Sequence, residues 1–242
     1  GYIGHQSARM MKKSKVLEKR MQNEIETQKS LLKNVDRVDD LKIVPLKNNR
    51  KSLIYCEDFA VKYNNSEIFS KISFEICDGD RVAICGKNGV GKSSILKLIM
   101  GDEIEYSGIL NKVNNSKISY VEQTTEKLKG SIKDFSKINN INESLFKAML
   151  IKMGFSKDDF DKNLQSLSEG QKKKVLIAKS FSENANLYIW DEPLNYIDII
   201  TRAQIEDAIL KYKPTLIFVE HDETFVNNIA SKIINLIEIK EK

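Results

Sequence analysis

The chain is short of cysteine, and the three it has, Cys56, Cys77 and Cys85, are an odd number without metal-ligand spacing. A small disulfide scaffold is thereby excluded, and buried or partly buried reduced thiols are expected. Long apolar runs are lacking as well. Nowhere do about 18 apolar residues follow one another, so there is no candidate membrane span. The opening residues (Gly1, Tyr2, Ile3, Gly4, His5) contain no charged leader followed by an apolar stretch, so no secretory signal is read and a cytoplasmic location is expected. Apolar content is not short: 41% of the 242 residues are hydrophobic against 30% charged, too hydrophobic for a disordered chain and enough for one sizeable core.

Net charge is +5, and it sits at one end. Residues 1 to 50 hold 12 Lys and Arg against 6 Asp and Glu, which leaves 27 against 28 for the remainder. Arg9, Lys12, Lys13, Lys15, Lys19 and Arg20 crowd together with Glu18 as the single acid among them. Such a cluster is an electrostatic footprint for a phosphate-rich partner, or else a solvated helix face. From about Ser7 to Val35 there is neither Pro nor Gly, and Leu17, Met21, Ile25, Leu32 and Val35 recur at helical spacing, which predicts one long amphipathic helix. Residues 34 to 50, with Asp39, Asp40, Pro45, Asn48 and Asn49, read as a polar connector that ends it. The apolar stripe has no partner within its own segment and the chain opens on Gly1 rather than Met, so a fragment with a preceding helix upstream is expected.

The pattern changes after residue 50. Strands are expected at 53–63, 72–77, 81–85, 117–121, 187–190, 215–219 and 232–238, and helices at 91–101, 143–153, 169–182, 201–212 and 223–231. This alternation predicts an α/β domain over 51–242 with a largely parallel sheet. Leu187 to Trp190 and Leu216 to Val219 are apolar on both faces, as buried central strands are. The stretch from about 124 to 165 lacks strand signals and reads as a small helical subdomain.

The strongest chemical signal is Gly86-Lys87-Asn88-Gly89-Val90-Gly91-Lys92-Ser93, a full match to the phosphate-loop pattern G-x-x-x-x-G-K-[ST], with a strand entering it and a helix leaving it. Glycine lets the backbone approach an anion, and the helix N-terminus adds oriented N–H groups. Gly86, Asn88, Gly89, Gly91, Lys92, Ser93 and the following Ser94 are therefore the candidate ATP contacts. Asp191 and Glu192 end the apolar strand that begins at Leu187. Alone they would read as a turn or a helix cap. Beside a phosphate loop, Asp191 with Ser93 becomes a candidate Mg²⁺ holder and Glu192 the group that polarises the attacking water. Leu167-Ser168-Glu169-Gly170-Gln171 opens a helical run. Ser168 with Gln171 forms a capping box, and the same geometry offers Ser168 and the Gly170 N–H to an anion. Gln123, placed to reach Mg²⁺ and water, and His221, placed to reach a γ-phosphate, each follow a strand; a lone residue in either place is more often structural.

The order phosphate loop, glutamine, LSEGQ, Asp-Glu after a strand and strand-end histidine resembles the ATP-binding cassette ATPases over about residues 52 to 238. The resemblance implies a P-loop nucleotide-binding domain with a helical subdomain, preceded by a long helical linker arm over residues 1 to 50. It also implies a second cassette, in the same full-length chain or a second copy, with ATP held between the phosphate loop of one and the LSEGQ of the other. By the same resemblance Tyr63 stacks on adenine and Asp198 lies in the loop that crosses between paired cassettes. Trp190-Asp191-Glu192-Pro193-Leu194-Asn195-Tyr196-Ile197-Asp198 and Phe218-Val219-Glu220-His221-Asp222 are similar to the soluble F subfamily, which acts on ribosomes. Asn195-Tyr196-Ile197-Asp198 and LSEGQ resemble its antibiotic-resistance branch. Glu169 departs from the commoner cassette glycine, and its side chain is expected to turn away from the nucleotide because inward it would repel phosphate.

The resemblance thus implies an ATPase that is the second half of a ribosome-binding protein protecting the peptidyl-transferase centre from drugs, of which the residues themselves supply the ATP site and the basicity. Its expected cofactors are ATP and Mg²⁺, and ribosomal RNA is the expected partner of the cations from Arg9 to Arg20. The alternatives are a housekeeping translation factor of the same subfamily and the ATPase subunit of a membrane transporter. A chromosome-maintenance ATPase is disfavoured because there helical segments split the cassette, whereas here phosphate loop and LSEGQ share one uninterrupted domain.

Overall fold

The two apolar runs expected as central strands are buried on both faces because two cores share one sheet. The computed structural model describes residues 40–48 and 51–239. The described elements run β1 (Ser52–Tyr63), β2 (Ser66–Glu67), β3 (Ile72–Cys77), β4 (Arg81–Cys85), α1 (Lys92–Met100), β5 (Tyr106–Lys112), β6 (Ile118–Val121), α2 (Ile132–Ile138) and α3 (Glu143–Lys152). They continue through two short 3-10 turns, Lys157–Asp161 and Leu164–Ser166, to α4 (Glu169–Ser182), β7 (Leu187–Asp191), α5 (Ile199–Tyr212), β8 (Leu216–Val219), α6 (Glu223–Ile229) and β9 (Lys232–Asn235).

Five strands form the parallel sheet, in the order β6-β7-β8-β4-β9. Because successive strand side chains point to opposite faces, Tyr188 and Trp190 enter one core while Leu187 and Ile189 enter the other. Phe218 and Ile217 divide in the same way. One core lies under α2 to α6, and the other under α1 and a second sheet. That second sheet corrects the expectation of a largely parallel arrangement for the first strands: β1 pairs antiparallel with β2, β3 and β5. The subdomain expected at 124–165 is helical, built from α2, α3 and the two 3-10 turns.

Two sequence expectations need amendment. The connector does not stand apart, since Leu41 and Ile43 are each 1% exposed in the core under the helices and Leu46 N–H donates to Ala185 O at 2.8 Å. Two apolar residues at alternate positions outweigh the polar neighbours that suggested a polar connector. The last strand ends at Asn235 rather than 238, with only an isolated bridge from Glu238 to Phe69 beyond it. All three cysteines are free, and burial pushes the Cys56 thiol up to about 12. No helix among the described residues is long and apolar enough to cross a membrane. The helix expected at Ser7 to Val35 and the cation cluster from Arg9 to Arg20 lie outside the described residues.

Candidate functional site

The site begins where β4 stops. Cys85 ends that strand, and α1 starts at Lys92 after a loop whose last residue, Gly91, has φ 101°. An L side chain is strained there, and a Cβ on Gly91 would run into Cδ1 of Ile68. Lys92 is buried, and its ammonium folds back across the loop, donating to Gly86 O at 2.8 Å and Lys87 O at 3.0 Å. The loop thus holds a positive charge and the free N-terminal N–H groups of a nine-residue helix at one point.

The parallel pairing of β6, β7 and β8 carries their C-terminal ends to the same edge, which is where open α/β sheets bind ligands. Gln123, Asp191, Glu192 and His221 follow from those ends. Asp191 is 2% exposed, and its Oδ1 has no hydrogen-bond partner. Burial raises its carboxyl above the ordinary value; the Ser93 hydroxyl, Lys173 and Lys97 pull the other way, and the Glu192 charge adds to the rise. A buried carboxylate oxygen without a partner, beside a serine hydroxyl, is the donor chemistry of a hard divalent cation, so the residues present fit Mg²⁺.

Glu192 sits at φ 49°, an uncommon conformation for a side-chain-bearing residue. Its Oε2 accepts from Asn195 Nδ2 at 3.0 Å, and its Oε1 lies 3.2 Å from His221 Nε2. Burial pushes this carboxyl up, but hydrogen bonding with Gln123, His221 and Asn195 outweighs it and holds the group below its ordinary range. A carboxyl held below its ordinary range is ionised at neutral pH.

A cavity of about 620 Å³ is lined by Tyr63, Asn88, Gly89, Gly91, Lys92, Ser93, Ser94, Gln123, Glu192 and His221, among others. Ten of the sequence candidates meet there. Gly86 lines the neighbouring cavity that also touches Lys92 and His221. The Tyr63 ring is half exposed at the rim, its hydroxyl 3.0 Å from Ser94 Oγ.

The remaining candidates are elsewhere. Ser168, Gly170, Gln171 and Asp198 do not line this cavity. Ser168 caps α4, and its reciprocal partner Gln171 also donates to Asp159 Oδ1 at 3.0 Å. Gly170 is needed for close approach, since a Cβ there would lie 2.6 Å from Tyr196 O. Asp198 caps α5 and pairs with Lys174 Nζ at 2.6 Å. Glu169 is held by Thr125 Oγ1 at 2.6 Å and by Lys172 at 2.9 Å. Asn195 and Glu220 stand inside the quoted motifs, yet the sequence assigned neither a role. The first sits three residues beyond Glu192, and the second is a buried acid that accepts from Leu194 N–H at 3.2 Å and steadies the turn after β7.

A family model described as ABC transporter matches residues 69–195, a span that runs from ahead of β3 through the phosphate loop to just past Asp191 and Glu192. The chain belongs to the ABC transporter ATPase family. Within this family it is similar to ATP-binding protein Uup of Buchnera aphidicola subsp. Acyrthosiphon pisum, at 30% identity over 231 residues, 92% of this chain and 37% of that protein. It is also similar to ABC transporter F family member 2 of Arabidopsis thaliana, at 31% identity over 194 residues, 77% of this chain and 28% of that protein. The chain spans about a third of the length of the curated relatives it matches. Among solved structures, the ATP-binding subunit of an ABC transporter superposes with a TM-score of 0.64 at 19% identity, covering 76% of this chain and 86% of that one. The ABC ATPase fold, with its P-loop and helical subdomain, is thereby shown.

Proposed function

We propose that this ABC cassette binds and hydrolyses ATP as the second half of a ribosome-binding F-type protein that protects the peptidyl-transferase centre against antibiotics. The observation that carries the ATPase part is the meeting of Lys92, Ser93, Gln123, Glu192 and His221 in one cavity, against the buried, unpartnered Asp191 oxygen. Relatives named as F family members and the basic N-terminal segment support the ribosomal part.

In this reading the loop N–H groups and the Lys92 ammonium hold the β- and γ-phosphates, and Tyr63 offers its ring to adenine. Asp191, Ser93 and Gln123 would hold Mg²⁺, which when bound neutralises phosphate charge. Glu192, ionised and fixed by Asn195, accepts a hydrogen bond from the attacking water and orients it in line with the γ-phosphate. His221, which lines the same cavity, reaches the γ-phosphate. Ser168, Gly170, Gln171 and Asp198, outside this cavity, face the ATP of a second cassette, so the cassette alone binds ATP and turns it over slowly.

The test is cosedimentation of the full-length protein with ribosomes across a salt series. Cations that reach phosphate release counterions, giving a slope of up to about 0.9 per phosphate for a duplex. Changing Lys12, Lys13, Lys15 and Lys19 to Gln preserves helix propensity. The change is expected to weaken association and flatten the slope by roughly one to four units. An unchanged slope would assign the cluster to a solvated face. Release of a ribosome-bound peptidyl-transferase drug by the ATP-loaded protein separates protection from a housekeeping role.

A further inference from the structure

Lys173 lies in the first turns of α4, two residues beyond the LSEGQ element, and is 2% exposed. A helix lysine in that position would ordinarily reach solvent along the helix surface. Here its ammonium turns inward and spends all three donors on backbone carbonyls: Gln123 O at 2.8 Å, Glu192 O at 3.1 Å and Glu122 O at 3.2 Å. None of these acceptors belongs to its own helix. Two lie just beyond β6 and one immediately after β7, so a single side chain joins the loop that carries Gln123 to the loop that carries Glu192.

Both loops need fixing. Glu192 holds a left-handed backbone that persists only where its surroundings over-determine it. Besides the Lys173 bond, its N–H donates to Val219 O at 2.9 Å. Burial lowers the basicity of Lys173, while the nearby charges of Asp191, Glu192, Glu220 and Glu122 favour the ammonium.

We propose that Lys173 is a positioning residue for ATP hydrolysis, clamping the Gln123 and Glu192 loops together so that both side chains face one point of the cavity. The proposal rests on the reading of Glu192 as the water-orienting base. It gives the second lysine of the Lys172-Lys173-Lys174 run a task that its neighbours do not share, since Lys172 pairs with the Glu169 carboxylate and Lys174 with the Asp198 carboxylate.

The test is steady-state hydrolysis by the full-length protein carrying Lys173→Met or Lys173→Arg, with ATP binding measured by calorimetry. Methionine keeps length and removes every donor. The kcat is expected to fall about 10- to 100-fold, the effect of displacing a reacting group by about an ångström. KM and ATP affinity are expected to stay within about twofold of wild type, because the clamp holds the reacting pair and not the phosphates. Lys173→Arg retains donors and is expected to recover much of the lost kcat. A lysine that serves folding alone would lower the yield and melting temperature and leave kcat per ATP-binding site at the parental value; that result overturns the proposal. If Lys173→Met binds no ATP, Lys173→Gln takes its place. Its amide cannot span three carbonyls, so a parental kcat there overturns the clamp equally. Glu192→Gln measured alongside separates the two claims: parental turnover in that variant removes Glu192 from the chemistry. Loss of turnover there, with full kcat in Lys173→Met, rejects only the clamp.

Discussion

Replacing Asp191 by Asn should make the nucleotide-free domain more stable. The carboxylate is buried, one oxygen has no partner, and burial raises its pKa, so at neutral pH the folded domain holds a charge that water would hold better. A buried polar group left without a partner costs about 1 to 3 kcal/mol, and a charged one more. Ser93, Lys173 and Lys97 return part of that. A net gain of about 1 to 2 kcal/mol in the variant corresponds to about 2 to 8 °C in melting temperature for a domain of this size. The pH dependence has a definite sign. A carboxyl whose folded pKa lies above its unfolded value of 3.8 contributes stability that is complete below that value and lost as pH rises through the folded one. The advantage of Asp191→Asn is therefore largest at neutral pH and shrinks on acidification. Thermal melts with and without MgATP measure both sides of the exchange, because a ligand at about 100 times its Kd adds about 2.7 kcal/mol to the wild type. The variant should lose most of the Mg²⁺-dependent part. A variant that melts below the wild type without nucleotide, or gains as much from MgATP, would refute the assignment of this oxygen to a cation.

Lys92→Ala removes a charge-assisted contact worth about 1.5 to 3 kcal/mol, so calorimetry should show ATP affinity reduced roughly 10- to 150-fold. Gly170→Ala places a Cβ 2.6 Å from the Tyr196 carbonyl, a backbone atom that cannot swing aside. An overpacking cost of about 1 to 3 kcal/mol in chemical denaturation is expected. Asp159 accepts from Lys162, from the Ser156 N–H and hydroxyl and from Gln171, and the Lys162 contact leads in holding its carboxyl far below the ordinary range. Asp159→Asn should lower the melting temperature at neutral pH. That difference should narrow only in strong acid, since a depressed carboxyl contributes stability above its unfolded value and loses it as pH falls through the folded one.

Legibility in the sequence followed burial. The strands β4, β7 and β8 were readable because central parallel strands are apolar on both faces, and the phosphate loop because its glycines are demanded by backbone geometry. Edge strand β5, with the run Tyr106-Ser107-Gly108-Ile109-Leu110-Asn111-Lys112, gave no strand signal because most of it is exposed and its pairing with β1 is decided by tertiary contact. The antiparallel second sheet was hidden because its partners β2 and β5 are short or mostly exposed and carry no clear strand pattern of their own. Site residues at strand ends were legible only through the order of motifs, since Gln123, His221 or the Asp191-Glu192 pair alone reads as structural; the parallel strand order shows why they meet in one cavity. Lys173 was invisible: within a Lys-Lys-Lys run it reads as a solvated face, and only the carbonyls of two distant loops explain why it is buried.

The central claim is that this cavity hydrolyses ATP with Glu192 orienting the water. Single-turnover hydrolysis by the full-length protein, wild type beside Glu192→Gln, with bound nucleotide quantified in each, tests it most directly. If Glu192 orients the water, the variant binds MgATP as the wild type does and leaves it uncleaved. Cleavage at the wild-type rate would contradict it.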